Sequence, residues 1–157
     1  MQTLVPPISL ADQNDDAADS SNAKALTALY DRSLNSVKGY AKMVEKADPS
    51  FRDTAERFRA LHSRHADELA LLLSGLRVGT DGDGSLMGTV NQAVITFRAF
   101  FDDIDEDVMD QVRSGEDWVL KSFDEAIVEQ SGTDAAVKLQ EMQGELTDLL
   151  AETRHMG

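Results

Sequence analysis

Cysteine is absent from the chain. That one absence excludes disulfides, thiolate zinc sites, iron–sulfur clusters and thiol catalysis together, and it suits a reducing cytosol. Proline is confined to Pro6, Pro7 and Pro49. No apolar run approaches the roughly 20 residues that a membrane-spanning helix needs. The opening segment MQTLVPPISLADQ has no basic stretch, and Pro6-Pro7 interrupts its apolar residues, so it is not expected to act as a signal peptide. The expected location is the cytoplasm. Basic residues are scarce: fifteen Lys and Arg stand against twenty-nine Asp and Glu, for a net charge of −14. So acidic a surface repels phosphate backbones and anionic lipid, which argues against nucleic acid and membrane as partners. Period-two stretches and β-branched runs are missing as well, which leaves an all-α chain.

What is present is helical periodicity, with 157 residues enough for one core. Residues 1–21 are polar and acidic and lack a period, so they are expected to form a disordered acidic tail ahead of a folded domain at 22–157. A first helix starts near Asn22, with Ser20, Ser21 or Asn22 as candidate caps. Its apolar stripe is Leu26, Leu29, Tyr30, Val37, Tyr40, Ala41 and Val44. Asp48-Pro49 ends it and opens the next, because proline fits a first helical turn but not a helix interior. The second helix, Pro49 to about Arg77, carries Phe51, Thr54, Phe58, Leu61, Leu69, Leu72, Leu73 and Leu76 on one stripe.

GTDGDGS at 79–85 predicts a loop, and Leu86 to Phe101 a short helix. Val108, Met109, Val112, Val119, Leu120, Phe123 and Ile127 mark a third main helix, which ends near Gln130. Ser131-Gly132-Thr133 is a stop followed by a cap. A last helix buries Ala135, Leu139, Met142, Leu146 and Leu149. Four main helices with one long connection predict an antiparallel four-helix bundle, with the short extra helix lying between the second and third main helices. VKGYAKMVEKA and VLKSFDEAIVE are faintly alike, as two related helical hairpins would be.

Four polar residues interrupt the apolar stripes: Ser33, His62, His65 and Glu116. A buried carboxylate is costly unless it is paired, protonated or metal-bound. Imidazoles on a facing helix supply either answer, since imidazolium pairs with a carboxylate and neutral imidazole binds metal. His62, His65 and Glu116 are therefore candidate ligands of a single divalent ion, Fe, Mn or Zn, with Glu145 or Glu68 on the flank as a fourth. The plainer expectation is a hydrogen-bonded knot, His62–Glu116 or His65–Glu116, that sets helix register and needs no cofactor.

Other features carry less. Asp81-Gly-Asp83-Gly-Ser85 resembles the start of a calcium loop, but the twelfth position is Gln92 instead of an acid. The acidic run from Asp102 to Asp110 fits a solvated face. Trp118 falls opposite the Glu116 stripe and is expected at the surface, where it can anchor a second copy or lie flat. No nucleophile motif or phosphate-cradling glycine loop is present.

RALHSRHADEL resembles the second-helix motif of ferritin-like proteins, with His65 at the histidine place and His62 where that motif has glutamate. SGEDWVLKSF resembles their third-helix motif, with Glu116 seven positions before Phe123. In the first helix Tyr40 holds the aromatic place, but Ser33 stands where a glutamate is expected. The last helix has no Glu-x-x-His. LNSVKGYAKM, SLMG and RSGEDWVLKSFDEAI look like segments of an uncharacterised bacterial family of ferritin-like four-helix bundles, a domain of unknown function, over residues 24–150. The resemblance implies a bundle with a degenerate di-iron site and no established reaction. Non-catalytic work, as a structural or interaction module binding another protein or a second copy, is then the leading expectation. A metal-binding or metal-dependent redox protein, using the His62, His65 and Glu116 cluster, is the alternative.

Overall fold

Four helices and one 3-10 turn account for the regular structure in the computed structural model, which describes residues 22–78 and 106–156. Helix α1 is Lys24–Lys46 and α2 is Pro49–Gly75. The 3-10 turn Glu106–Val108 leads into α3, Met109–Glu129, and α4 is Asp134–Glu152. There is no strand among the described residues, and none of their helices is long and apolar enough to cross a membrane. The expected tail at 1–21, the loop at 79–85 with its calcium-like spacing, the short helix at 86–101 and the start of the acidic run fall outside the described residues.

Each helix packs on two others: α1 on α2 and α3, and α4 on α3 and α2. The apolar stripes meet in one core. Leu26, Leu29 and Met43 contribute from α1, and Phe51, Phe58, Leu69 and Leu73 from α2. Met109 and Phe123 come from α3, and Leu139, Met142 and Leu146 from α4. Burying one such side chain contributes about 1.5–3 kcal/mol, and cutting Phe58 back to alanine would cost about 3–5 kcal/mol. The stripes are narrower than their sequence pattern. Val37, Ala41 and Val44 are half-buried, and Met43 and Gly39 take the inner positions of α1. Ala136 is the buried alanine of α4, with Ala135 beside it half-buried. A helix touching two neighbours hides only the arc between them.

The helix ends follow from local chemistry. Ala47 and Asp48 alone join α1 to α2, and Pro49 takes the first turn, where its missing N–H costs nothing. The end of α2 is a Schellman motif: Val78 N–H donates to Leu73 O at 2.9 Å and Arg77 N–H to Ser74 O at 3.0 Å. Arg77 occupies the left-handed position, φ 62°, where glycine is commoner. Between α3 and α4, Gly132 makes the same left-handed turn at φ 84°. Thr133 precedes α4, but its hydroxyl donates back to Gln130 O at 2.7 Å and leaves the helix uncapped by a side chain.

The start of α1 departs from the sequence expectation. Asn22 does not cap it; Ala23 takes the cap position without a side-chain bond. The carboxylate of Glu129, at the far end of α3, accepts from Ala25 N–H at 2.9 Å and Leu26 N–H at 3.0 Å. Gln130 Nε2 adds a bond to Asn22 O at 2.7 Å. An acid from another helix thus satisfies first-turn amides that a local Ser or Asn usually takes.

Candidate functional site

Phe58, His62 and His65 share the inner face of α2, because steps of three and four residues return to the same side of a helix. Neither imidazole has any exposed surface. Glu116 reaches the same place from α3 and Tyr40 from α1, exposed by only 2% and 5%. Tyr40 donates its hydroxyl to Glu116 Oε1 at 2.5 Å. His62 Nε2 lies 2.8 Å from the same oxygen. With Glu116 as acceptor, Nε2 carries the proton and His62 Nδ1 is left without a partner among the described residues.

Aromatic packing holds the donors in place. The Tyr40 ring stacks on Phe58 at 5.3 Å and on His62 at 5.7 Å, nearly parallel to both. His65 turns its edge to Phe123 at 5.9 Å and stands across His62 at 6.4 Å. Tyr40 and Phe123 therefore each abut one of the two histidines.

His65 does not join Glu116. Its Nε2 faces Glu145 Oε1 of α4 at 3.6 Å, beyond hydrogen-bond reach, and neither of its nitrogens is hydrogen-bonded among the described residues. Arg64 holds the half-buried Glu145 from the solvent side. Of the two flanking acids named from sequence, Glu145 approaches the imidazoles. Glu68 instead meets Lys138 at 3.7 Å with one oxygen. Ser33 is buried, and its hydroxyl has no partner among the described residues.

Burial, then the Glu116 charge and the hydrogen bond to it, push the Tyr40 phenol well above its usual range. Burial and then the neighbouring His62 lower His65 to about 4; Glu145 opposes this and Arg64 adds to it. His65 is thus a neutral imidazole at physiological pH.

The arrangement can hold a proton on Tyr40, fix one histidine tautomer and lock three helices in register. A shared cation is less well served. Among the described residues, no three His, Asp or Glu side chains lie together as a metal site requires. His62 Nε2 is already engaged, and His65 looks towards α4.

Sequence reasoning located His62, His65 and Glu116 but missed the Tyr40 hydroxyl. The signal was available, since a tyrosine in a buried stripe needs a partner for its O–H.

Fold and cluster together define an all-α helical protein with a closed Tyr–His–Glu knot in its core. A family model described as a domain of unknown function, DUF2383, matches residues 21–129, and the chain belongs to that family. The match takes in α1, α2 and α3 with Tyr40, His62, His65 and Glu116, and stops short of α4. No curated protein and no solved structure matches the chain.

Proposed function

We propose that this protein is a non-catalytic, ferritin-like antiparallel bundle whose work is done by its outer surface, as a module that binds another protein or a second copy of itself. Contact order along the helices supports the topology. Ala25 meets Glu129 and Tyr40 meets Glu116, so α1 and α3 run in opposite directions. Arg57 pairs with Glu152, Arg64 with Glu145 and Glu68 with Lys138, so α2 and α4 do too. Short links make α1–α2 and α3–α4 antiparallel hairpins, and the long connection from α2 to α3 lets both run the same way. One long crossover of this kind distinguishes ferritin-like bundles from simple up-and-down ones.

The observation that carries the functional reading is the closure of the cluster. Tyr40 and His62 both donate to Glu116, and all three side chains are buried, so the bonded atoms of this cluster are already engaged with one another. Apolar side chains do stand outside: Leu71, Trp118, Val128 and Val137 are each more than half exposed. Sizing of the untagged full chain, with capture from cytosol of its source, tests the reading. A second copy or a stoichiometric protein partner is expected, bound equally by wild type and Glu116→Gln. A monomer that recovers no partner would overturn it.

A second reading has an observation of its own. Within the cluster, His62 Nδ1, both nitrogens of His65 and Glu116 Oε2 are buried without partners among the described residues. A single Fe, Mn or Zn ion held by His62, His65 and Glu116 would use such atoms, once His65 turned from Glu145 towards Glu116. Two bridged irons need more carboxylates than these helices offer, with Ser33 and His62 at places where the ferritin-like motif has glutamate. Elemental analysis of untagged protein decides it. Stoichiometric metal that disappears in His65→Ala supports this reading, and metal-free protein that refuses added Fe²⁺ ends it.

A further inference from the structure

A cleft of about 180 Å³ opens between α1 and α3, with Tyr40 and Glu116 of the buried cluster in its wall. Val112, Val119 and Trp118 line it from α3. Gly115 leaves room beside them: a methyl group there would meet no atom within 4 Å. An apolar cavity of about 150 Å³ is enough to take benzene, so one aromatic ring fits.

The charges along the cleft are unequal. Glu116 forms part of the wall, yet it is 2% exposed and its Oε1 already accepts from Tyr40 and His62. Its other oxygen is buried as well, without a hydrogen-bond partner among the described residues. Arg32 is the other charged lining residue, and no ion pair ties it to a carboxylate among the described residues. Arg32 and Tyr40 are eight residues apart on α1, about 12 Å along the axis. Positive charge thus marks one end; Asn35 and Ser36 of α1 lie between, facing the apolar side chains Val112, Trp118 and Val119 of α3.

We propose that the cleft binds a small aromatic carboxylate, with the ring against Val112, Val119 and Trp118 and the carboxylate on Arg32. A planar guanidinium matches a carboxylate with two parallel hydrogen bonds. Trp118 is shared with the exposed apolar side chains named above, but ligand binding in the cleft does not depend on partner binding.

Trp118 is the single tryptophan, so its emission reports on the cleft directly. The untagged full chain is titrated with benzoate, benzyl alcohol and benzylammonium. Benzoate is expected to change the emission saturably, with a dissociation constant on the order of 1 mM for so small a ligand. Benzyl alcohol and benzylammonium should bind roughly tenfold more weakly or worse. Arg32→Gln should reduce benzoate binding to the level of benzyl alcohol. Gly115→Leu should abolish it while keeping helicity by circular dichroism, since leucine is the better helix former. A linear response without saturation overturns the proposal. So does benzylammonium binding as tightly as benzoate, or benzoate binding unchanged in either variant. An emission shift with protein concentration alone would mean that a second copy covers the cleft, and would also overturn it.

Discussion

Tyr40 and His62 belong to different helices, stack ring on ring at 5.7 Å, and direct their donors to one oxygen, Glu116 Oε1. The shared acceptor ties α1, α2 and α3 together at a single atom. Removing it strands two donors at once, and that asymmetry governs how variants of this core behave.

Glu116→Leu should therefore destabilise the protein by about 2–4 kcal/mol, because each unsatisfied buried donor costs about 1–3 kcal/mol. Tyr40→Phe added to Glu116→Leu should recover part of the loss by removing one stranded hydroxyl. Urea unfolding of both single variants and the double gives the coupling directly. Additive losses would mean that the Tyr40–Glu116 bond contributes nothing.

Tyr40 should also set an alkaline limit. Its folded pKa lies above the ordinary 10.0, so it keeps its proton in the native state after the unfolded phenol has ionised. Its contribution is complete below pH 10 and declines as pH rises above that value. Urea midpoints measured either side of this point should fall for wild type and fall less for Tyr40→Phe. Equal slopes would contradict the shift.

His65 works in the opposite direction, at acid pH. Its folded pKa of about 4 lies below the ordinary 6.5, so the unfolded chain takes up the proton first. The stabilisation is complete above pH 6.5 and is lost as pH falls towards 4, a swing on the order of 3 kcal/mol. Carboxylates titrate in the same range, so the difference between wild type and His65→Leu is the quantity to measure. A constant difference from pH 7 to pH 4 would refute the assignment.

Glu129 should matter more than the ion pairs on the outer faces. It accepts from two first-turn amides of α1, and losing such a cap costs about 1 kcal/mol, up to 2. Arg57–Glu152 is a pair of exposed side chains, of the kind contributing 1 kcal/mol or less. Thermal unfolding of Glu129→Ala and Arg57→Ala should rank them in that order, and amide exchange at Ala25 and Leu26 should quicken only in Glu129→Ala.

Much of this was legible beforehand. The periodicity of Phe51, Phe58, Leu69 and Leu73 marked α2, Asp48-Pro49 marked its start, and the misfit of His62, His65 and Glu116 among apolar neighbours marked the cluster. Which imidazole would meet Glu116 was not legible. His62 and His65 are about 60° apart around α2, enough to send one towards α3 and the other towards α4. That choice depends on the rotation and axial register of each helix against its neighbours, and a one-dimensional pattern carries neither.

The cap on α1 gives the same lesson more sharply. Ser20, Ser21 and Asn22 were the local candidates, yet the carboxylate that reaches Ala25 and Leu26 lies more than 100 residues away. Sequence alone determined that the chain is helical, where apolar faces lie and which polar residues those faces must accommodate, because these are properties of residues a few steps apart. Only the tertiary structure decided that Tyr40 completes the cluster, that His65 turns to Glu145 and that Glu129 closes α1. Each of those contacts exists because helices distant in the chain pack at one particular rotation, set by the whole core at once.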